Sequence, residues 1–183
     1  VALSDMGNMM GAFHFVKALS AHNKAAAAKN KQLEEAGETP TETIIKPIVG
    51  IELNVCQDHT NKSQKDNGYQ IVFIAKNKNG YHNLAKMASL AYTDGFYYVP
   101  RVDKELILEY KEDLIITTGG LNGEVPNLIL NVGERQAEEA LLWWKEHFRD
   151  DFYIEIVTIC ISFFTGLYFF HVSLNPYRGE NRA

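Results

Sequence analysis

The sequence predicts an α/β fold built on a mainly parallel sheet or barrel, and three observations predict it. Apolar runs rich in β-branched and aromatic residues recur at positions 1–4, 46–55, 71–75, 114–117 and 152–157. Segments whose apolar residues follow helical spacing lie between them. Most of the strand runs are apolar at successive positions, as expected for strands covered on both faces. No internal repeat is visible.

Taken in order, residues 1–4 read as the end of a buried strand, and Asp5-Met6-Gly7-Asn8 as the turn after it. Met9, Met10, Phe13, Val16 and Lys17 then keep helical spacing, with Asn8 as N-cap. The helix runs on through Ala25 to Ala28 and Leu33 until Gly37 stops it, and Thr39-Pro40 marks a loop. This Ala/Lys/Glu-rich stretch reads as a solvated helical extension. A strand over 46–55, a polar loop over 57–67 and a strand over 71–75 follow. Asn79-Gly80 is expected to turn the chain into a helix over 81–92, with Leu84, Met87, Ala88 and Ala91 on one face. Asp103 caps a short helix reaching Tyr110. After the strand 114–117 and the loop 118–123, Ala137, Ala140, Leu141, Trp144 and Phe148 mark one face of an amphipathic helix, and 152–157 is the last strand.

At 183 residues with 46% hydrophobic and 22% charged residues, the chain can bury a sizeable core. A net charge of −5 argues against a domain that grips nucleic acid by its own charge, since duplex binding needs dense Lys and Arg. Cys56 and Cys160 match no zinc or redox spacing and read as free thiols of a reducing compartment. His14, His22, His59, His82 and His147 match no ligand spacing either. The loop from Gly119 to Gly123 lacks the Gly-Lys-Ser/Thr end of a phosphate-binding loop and reads as a turn. Trp143 and Trp144 read as core, and Lys76, Lys78 and Lys86 as a solvated patch. From 156 to 174 only His171 could carry charge, so the segment is long enough to span a bilayer; a pair of buried strands, or a stretch unrelated to the preceding domain, are the other readings.

Several blocks, in order, carry a resemblance to a known family. The stretch from Gly68-Tyr69-Gln70-Ile71-Val72-Phe73-Ile74-Ala75-Lys76-Asn77 through Tyr81-His82-Asn83-Leu84 to Gly95-Phe96-Tyr97-Tyr98-Val99-Pro100-Arg101-Val102-Asp103 is the most specific. Ala2-Leu3-Ser4-Asp5-Met6-Gly7-Asn8-Met9-Met10-Gly11 and Lys46-Pro47-Ile48-Val49-Gly50-Ile51-Glu52 add two more, and positions 114–126 and 136–155 extend them. Together they resemble the polymerase-and-histidinol-phosphatase (PHP) domain of the bacterial DNA polymerase III alpha subunit, in its Bacteroidetes style. The resemblance implies a partial, distorted seven-stranded β/α barrel over 1–157, lacking its first and closing strands, followed by an atypical apolar tail over 158–183. It implies a fragment of a DNA-directed DNA polymerase, a nucleotidyltransferase of DNA replication that uses Mg²⁺ in its full-length form. The fragment alone is expected to be inactive, marginally stable and cytoplasmic. Implied partners are the rest of the polymerase chain, DNA through that chain, a proofreading exonuclease and a sliding clamp, with no membrane. A change of reading frame near Val157 is the expected origin of the tail.

Active members of the family hold Zn²⁺ or Mn²⁺ with histidines, carboxylates and sometimes a cysteine at strand ends. By that resemblance the chain keeps Asp5 and Glu52 as vestigial metal ligands. It carries Met6 and Gln70 where the family has histidines and Gly120 where it has a cysteine. A thioether and an amide do not replace neutral imidazoles for these ions, so no metal is expected to bind there and no catalytic residue is assigned. Asp5 also fits a role in capping the turn before the first helix. Glu52, a carboxylate in an apolar strand, either pairs with a basic group such as Arg101 or is a relic of the metal site. Two other functional readings are a metal-dependent phosphoesterase or 3′–5′ exonuclease, and a membrane-anchored protein held by 156–174.

Overall fold

A computed structural model describes residues 1–160 and 169–176, with side chains as far as Glu155. Strands β1 (Ala2–Met6), β2 (Ile48–Cys56), β3 (Tyr69–Ala75), β5 (Leu114–Thr117), β6 (Phe152–Cys160) and β7 (Phe169–Pro176) form one sheet in that spatial order. The short β4 (Arg101–Asp103) joins it on the β1 side of β2. β1 pairs with the first half of β2, from Ile48 to Glu52, and β4 with its end, from Asn54 to Cys56. The path is open among the described residues, a mixed α/β arrangement consistent with part of a barrel.

The sheet is not mainly parallel as expected. β3 runs antiparallel to both β2 and β5, and β7 antiparallel to β6. The loop after β2 returns the chain directly onto the neighbouring strand without a helix, and only an antiparallel partner can be reached that way.

The core lies between the sheet and the helices α2 (Lys78–Thr93), α3 (Lys104–Tyr110), α4 (Glu124–Asn131) and α5 (Glu134–Phe148). Ile51, Leu53, Ile71, Phe73 and Ile116 supply the sheet side; Leu84, Met87, Ala91, Ile107 and Trp144 supply the helix side. The helical faces read for α2 and α5 are therefore the buried ones, with Ala88 and Leu141 at their margins. Burying a large aliphatic or aromatic side chain contributes about 1.5–3 kcal/mol, so this layer dominates the stability.

Three elements differ from expectation. Asn79-Gly80 lies inside the first turn of α2; Asn77 is the N-cap, its side chain accepting from Asn79 N at 2.8 Å and Gly80 N at 3.1 Å. Gly80 is there for close packing, because a Cβ would sit 2.2 Å from the Asp113 carbonyl oxygen. β4 has only three residues, two of them polar, too few to show a strand pattern. α4 was not read from the sequence; it carries Pro126 in its first turn, where a missing N–H costs nothing.

The long α1 (Met10–Glu35) is mostly solvated, as read, with only Ala12 and Ala26 buried. The segment that follows it runs back alongside. Asn23 bonds both the N–H and the carbonyl of Ile45 at 2.8 and 2.7 Å, and Asn30 does the same for Glu42 at 2.9 and 2.8 Å. Lys29 pairs with the Glu42 carboxylate. Two asparagines seven residues apart share a helix face, which is how a polar helix holds a polar strap.

β6 continues past position 157 to Cys160, so the described parts of 156–174 are strands. No helix among the described residues is long and apolar enough to cross a membrane. Residues 161–168 and 177–183 of the expected tail lie outside the described residues.

Candidate functional site

Strand register sorts the candidate residues onto faces. Ile51 faces the helices, and Asp5 is its partner in β1. Glu52 therefore faces the other way, with Met6 beside it in β1 and Val72 in β3. Gln70, Thr117 and Glu155 fall on the same face as Glu52 by alternation along β3, β5 and β6. Asp5 and Glu52 are thus on opposite faces of the sheet.

Asp5 meets the start of α1, its Oδ2 accepting from Gly11 N at 2.8 Å. Gly11 permits this approach, since a Cβ there would lie 2.6 Å from the same oxygen. The bond fills an otherwise unpaired helix donor, as the capping reading expects. Asn8, read as the N-cap, stands one residue outside it and accepts from Met10 N at 3.0 Å.

Glu52 has no bond to Arg101. Burial, and then the nearby Glu155 carboxylate, raise the Glu52 carboxyl above its ordinary value of 4.5. Glu155 Oε2 accepts from Thr117 Oγ1 at 3.1 Å, and Glu155 N donates to Thr118 Oγ1 at 3.0 Å, so Thr117 holds this second carboxylate and Thr118 the backbone that carries it. Gln70 is held by the 118–123 loop: its N–H donates to the Asn122 carbonyl at 3.0 Å and its Oε1 accepts from Asn122 Nδ2 at 2.9 Å. Met6 is exposed. A Cβ at Gly120 would meet nothing within 4 Å, so the position has room for a side chain and supplies none.

The strand-end face therefore offers two carboxylates, a thioether and an amide already engaged with another amide. That set does not fit an imidazole- and thiolate-rich metal centre, which needs several neutral nitrogen or anionic sulfur donors. Sequence reasoning missed Glu155, Thr117 and Asn122. Glu155 was visible as a second carboxylate in an apolar strand, the same anomaly that drew attention to Glu52.

Arg101 has a different task. Fully buried, it donates from Nε to the Gly95 carbonyl at 3.0 Å and from Nη1 to that of Asp66 at 3.0 Å. From Nη2 it reaches the carbonyls of His59 at 3.1 Å and Asn61 at 3.0 Å. Its guanidinium also lies 5.5 Å from the Tyr97 ring centroid. Four carbonyls from two loops thus converge on one cation.

Beside it a second group assembles. The His59 Nδ1 contacts Asp103 Oδ2, and Asp58 stands close enough that one ligand-type atom from each of the three lies within 4.8 Å of the others. Asp103 caps α3 as read, accepting from Leu106 N at 2.9 Å, and accepts from His59 N at 3.1 Å. Burial works against its ionisation, but those bonds and the His59 ring outweigh it and hold its carboxyl below the ordinary 3.8. The histidine spacing gave no hint of this, because Asp103 lies 44 residues from His59 and reaches it only through the β2–β4 pairing.

The fold and the co-linear sequence blocks converge on one family, whose profile matches residues 1–159 as a PHP domain. The chain belongs to the PHP domain family. Over 160 residues it is 38% identical to the DNA polymerase III subunit alpha of Borreliella burgdorferi, covering 85% of this chain and 12% of that protein. It is 36% identical over 166 residues to the alpha subunit of Aquifex aeolicus, covering 85% of this chain and 12% of that protein. For the alpha subunit of Chlamydia trachomatis the figures are 33% over 160 residues, 85% and 11%. The chain spans about an eighth or less of the length of these relatives.

Proposed function

We propose that this chain is the PHP segment of a replicative DNA polymerase III alpha subunit and serves there as a scaffold with a degenerate strand-end metal site. The observation that carries the reading is the continuous similarity to alpha subunits over residues 1–159, combined with Met6, Gln70 and Gly120 at positions where ligands would be needed. On this reading Glu52 is the relic of that metal site, while Asp5, expected as a second relic, lies on the opposite face of the sheet and does not share it. Asp5 is retained for its bond to α1, and Glu52 persists as a half-buried carboxylate without a basic partner among the described residues. The domain ends near position 157, and the residues beyond belong to a different reading frame.

The full-length protein carries out template-directed DNA synthesis with Mg²⁺, through catalytic carboxylates outside this segment. Its partners are the remainder of the alpha chain, the primed template, a proofreading exonuclease and a sliding clamp, in the cytoplasm. Primer extension with the purified chain and with a relative's alpha subunit carrying residues 1–155 in place of its own segment tests this. The isolated chain gives no extension and the chimaera extends primers. A folded chimaera that does not extend would contradict the scaffold role. The phosphoesterase reading loses ground because the polar face lacks a competent donor set, and the anchor reading because the described parts of 156–174 are strands.

A further inference from the structure

We propose that Asp58, His59 and Asp103 form a divalent-metal site of the zinc class, separate from the strand-end face, which staples the 57–68 loop to the start of α3. One imidazole and two carboxylates are a donor set that Zn²⁺ accepts, and their ligand atoms already lie within 4.8 Å of one another. Tetrahedral zinc ligands at about 2.0–2.1 Å from the ion stand about 3.3 Å apart, so Asp58 would draw in and the His59 and Asp103 ligand atoms, now in direct contact, would move apart to admit the ion.

Among the described residues neither carboxylate has a lysine or arginine within ion-pair distance. Arg101, two residues before Asp103, directs its donors to four backbone carbonyls. It also fixes the backbone of His59 and Asn61, so the loop that carries two ligands is held before any ion arrives. Hydrogen bonds to one oxygen of each carboxylate set its orientation. Asp58 Oδ1 accepts from Thr60 N at 2.9 Å and Thr60 Oγ1 at 2.7 Å, leaving Oδ2 for an ion. Asp103 Oδ1 is fixed by Leu106 N, and Oδ2 faces the ring. The side chains of His59 and Asp103 are only 15% and 9% exposed, while Asp58 is open to solvent and gives the ion its approach.

In the bound form the His59 ring carries its proton on Nε2, any proton on Nδ1 having passed to water, so the Nδ1 lone pair and an Asp103 carboxylate oxygen coordinate the ion. Asp58 Oδ2 supplies the third bond and water the fourth. No redox change is involved.

Zn²⁺ titration of the chelator-stripped chain, with elemental analysis after desalting, tests the site in wild type and in His59→Gln, Asp58→Asn and Glu52→Gln, each checked for folding by circular dichroism. One zinc per chain is expected. Affinity should fall at least about tenfold in Asp58→Asn, vanish in His59→Gln and be unchanged in Glu52→Gln. Bound zinc should also slow tryptic cleavage at Lys62 and Lys65. No retained zinc, or binding indifferent to both loop variants, would overturn the proposal. Zinc lost only in Glu52→Gln would overturn it too, and would place the ion on the strand-end face, against the degenerate site proposed above.

Discussion

Replacing Arg101 by Met should unfasten the 57–68 loop and cost about 5 kcal/mol of stability. The wild-type side chain serves the carbonyls of Gly95, Asp66, His59 and Asn61 at 3.0–3.1 Å. A buried carbonyl stripped of its donor costs about 1–3 kcal/mol, and four would sum to roughly 8 at mid-range. Three of the four belong to a loop that can turn toward water and recover about half of that sum. The guanidinium contact with Tyr97 adds about 0.5–1 kcal/mol, lost in the same step. Arg101→Lys has three donors on a point charge and cannot span the four acceptors, so it should lose about 2 kcal/mol. Urea unfolding followed by the fluorescence of Trp144, which is buried and bonded from Nε1 to Glu124 Oε2 at 2.7 Å, reads the loss. Limited trypsin digestion at Lys62 and Lys65 reads the loop itself. A loss below about 1 kcal/mol with unchanged proteolysis would refute the clamp, because no arrangement of four stripped carbonyls is that cheap.

Three further outcomes follow from other sites. Glu52→Gln should stabilise the chain at pH 7. The folded carboxyl is raised by burial and by Glu155, so its contribution favours folding below the ordinary value of 4.5 and is lost as pH rises through the folded value. For this half-exposed group the gain is at most about 1 kcal/mol, and it should disappear toward pH 4; a Gln variant that melts lower than wild type at pH 7 would contradict it. Cys56, whose thiol donates to the Val102 carbonyl at 3.3 Å and is pushed up to about 11 chiefly by burial, should react with an aromatic disulfide at pH 8 about 100-fold more slowly than in the denatured chain. Peptide mass spectrometry assigns the slow thiol, and equal rates would refute its burial. Asn30→Ala removes both bonds to Glu42 and should speed amide exchange at Glu42 and its neighbours, with about 1–2 kcal/mol of local stability lost and Ile45 less affected. Unchanged exchange would mean that the strap is held by something else.

What the sequence made legible follows from how local each signal is. Asp103 as a cap, Leu84-Met87-Ala91 as a buried face and 114–117 as a strand depend on residues a few positions apart, and all appear in the structure. The antiparallel placement of β3 depends on how the loop after β2 returns the chain, which no periodicity encodes. Asn79-Gly80 carries the composition of a turn, yet Gly80 answers a carbonyl more than thirty residues away. Arg101 was a natural partner for Glu52 by charge alone; the pairing of β4 with β2 instead buries it among loop carbonyls. The strand-end positions were readable as a set of substitutions, but the opposed directions of Asp5 and Glu52 required strand register. The His59–Asp103 contact was beyond reach, since it exists only once β4 has been placed.

The most direct test of the account is whether the strand-end face performs metal-dependent chemistry. The purified chain, checked for folding and supplied with Mn²⁺ or Zn²⁺, would be assayed for phosphate release from a phosphomonoester and nucleotide release from single-stranded DNA, beside Glu52→Gln. A scaffold with a degenerate centre predicts turnover no higher than buffer for both proteins. Turnover by the wild-type chain that Glu52→Gln abolishes would contradict it.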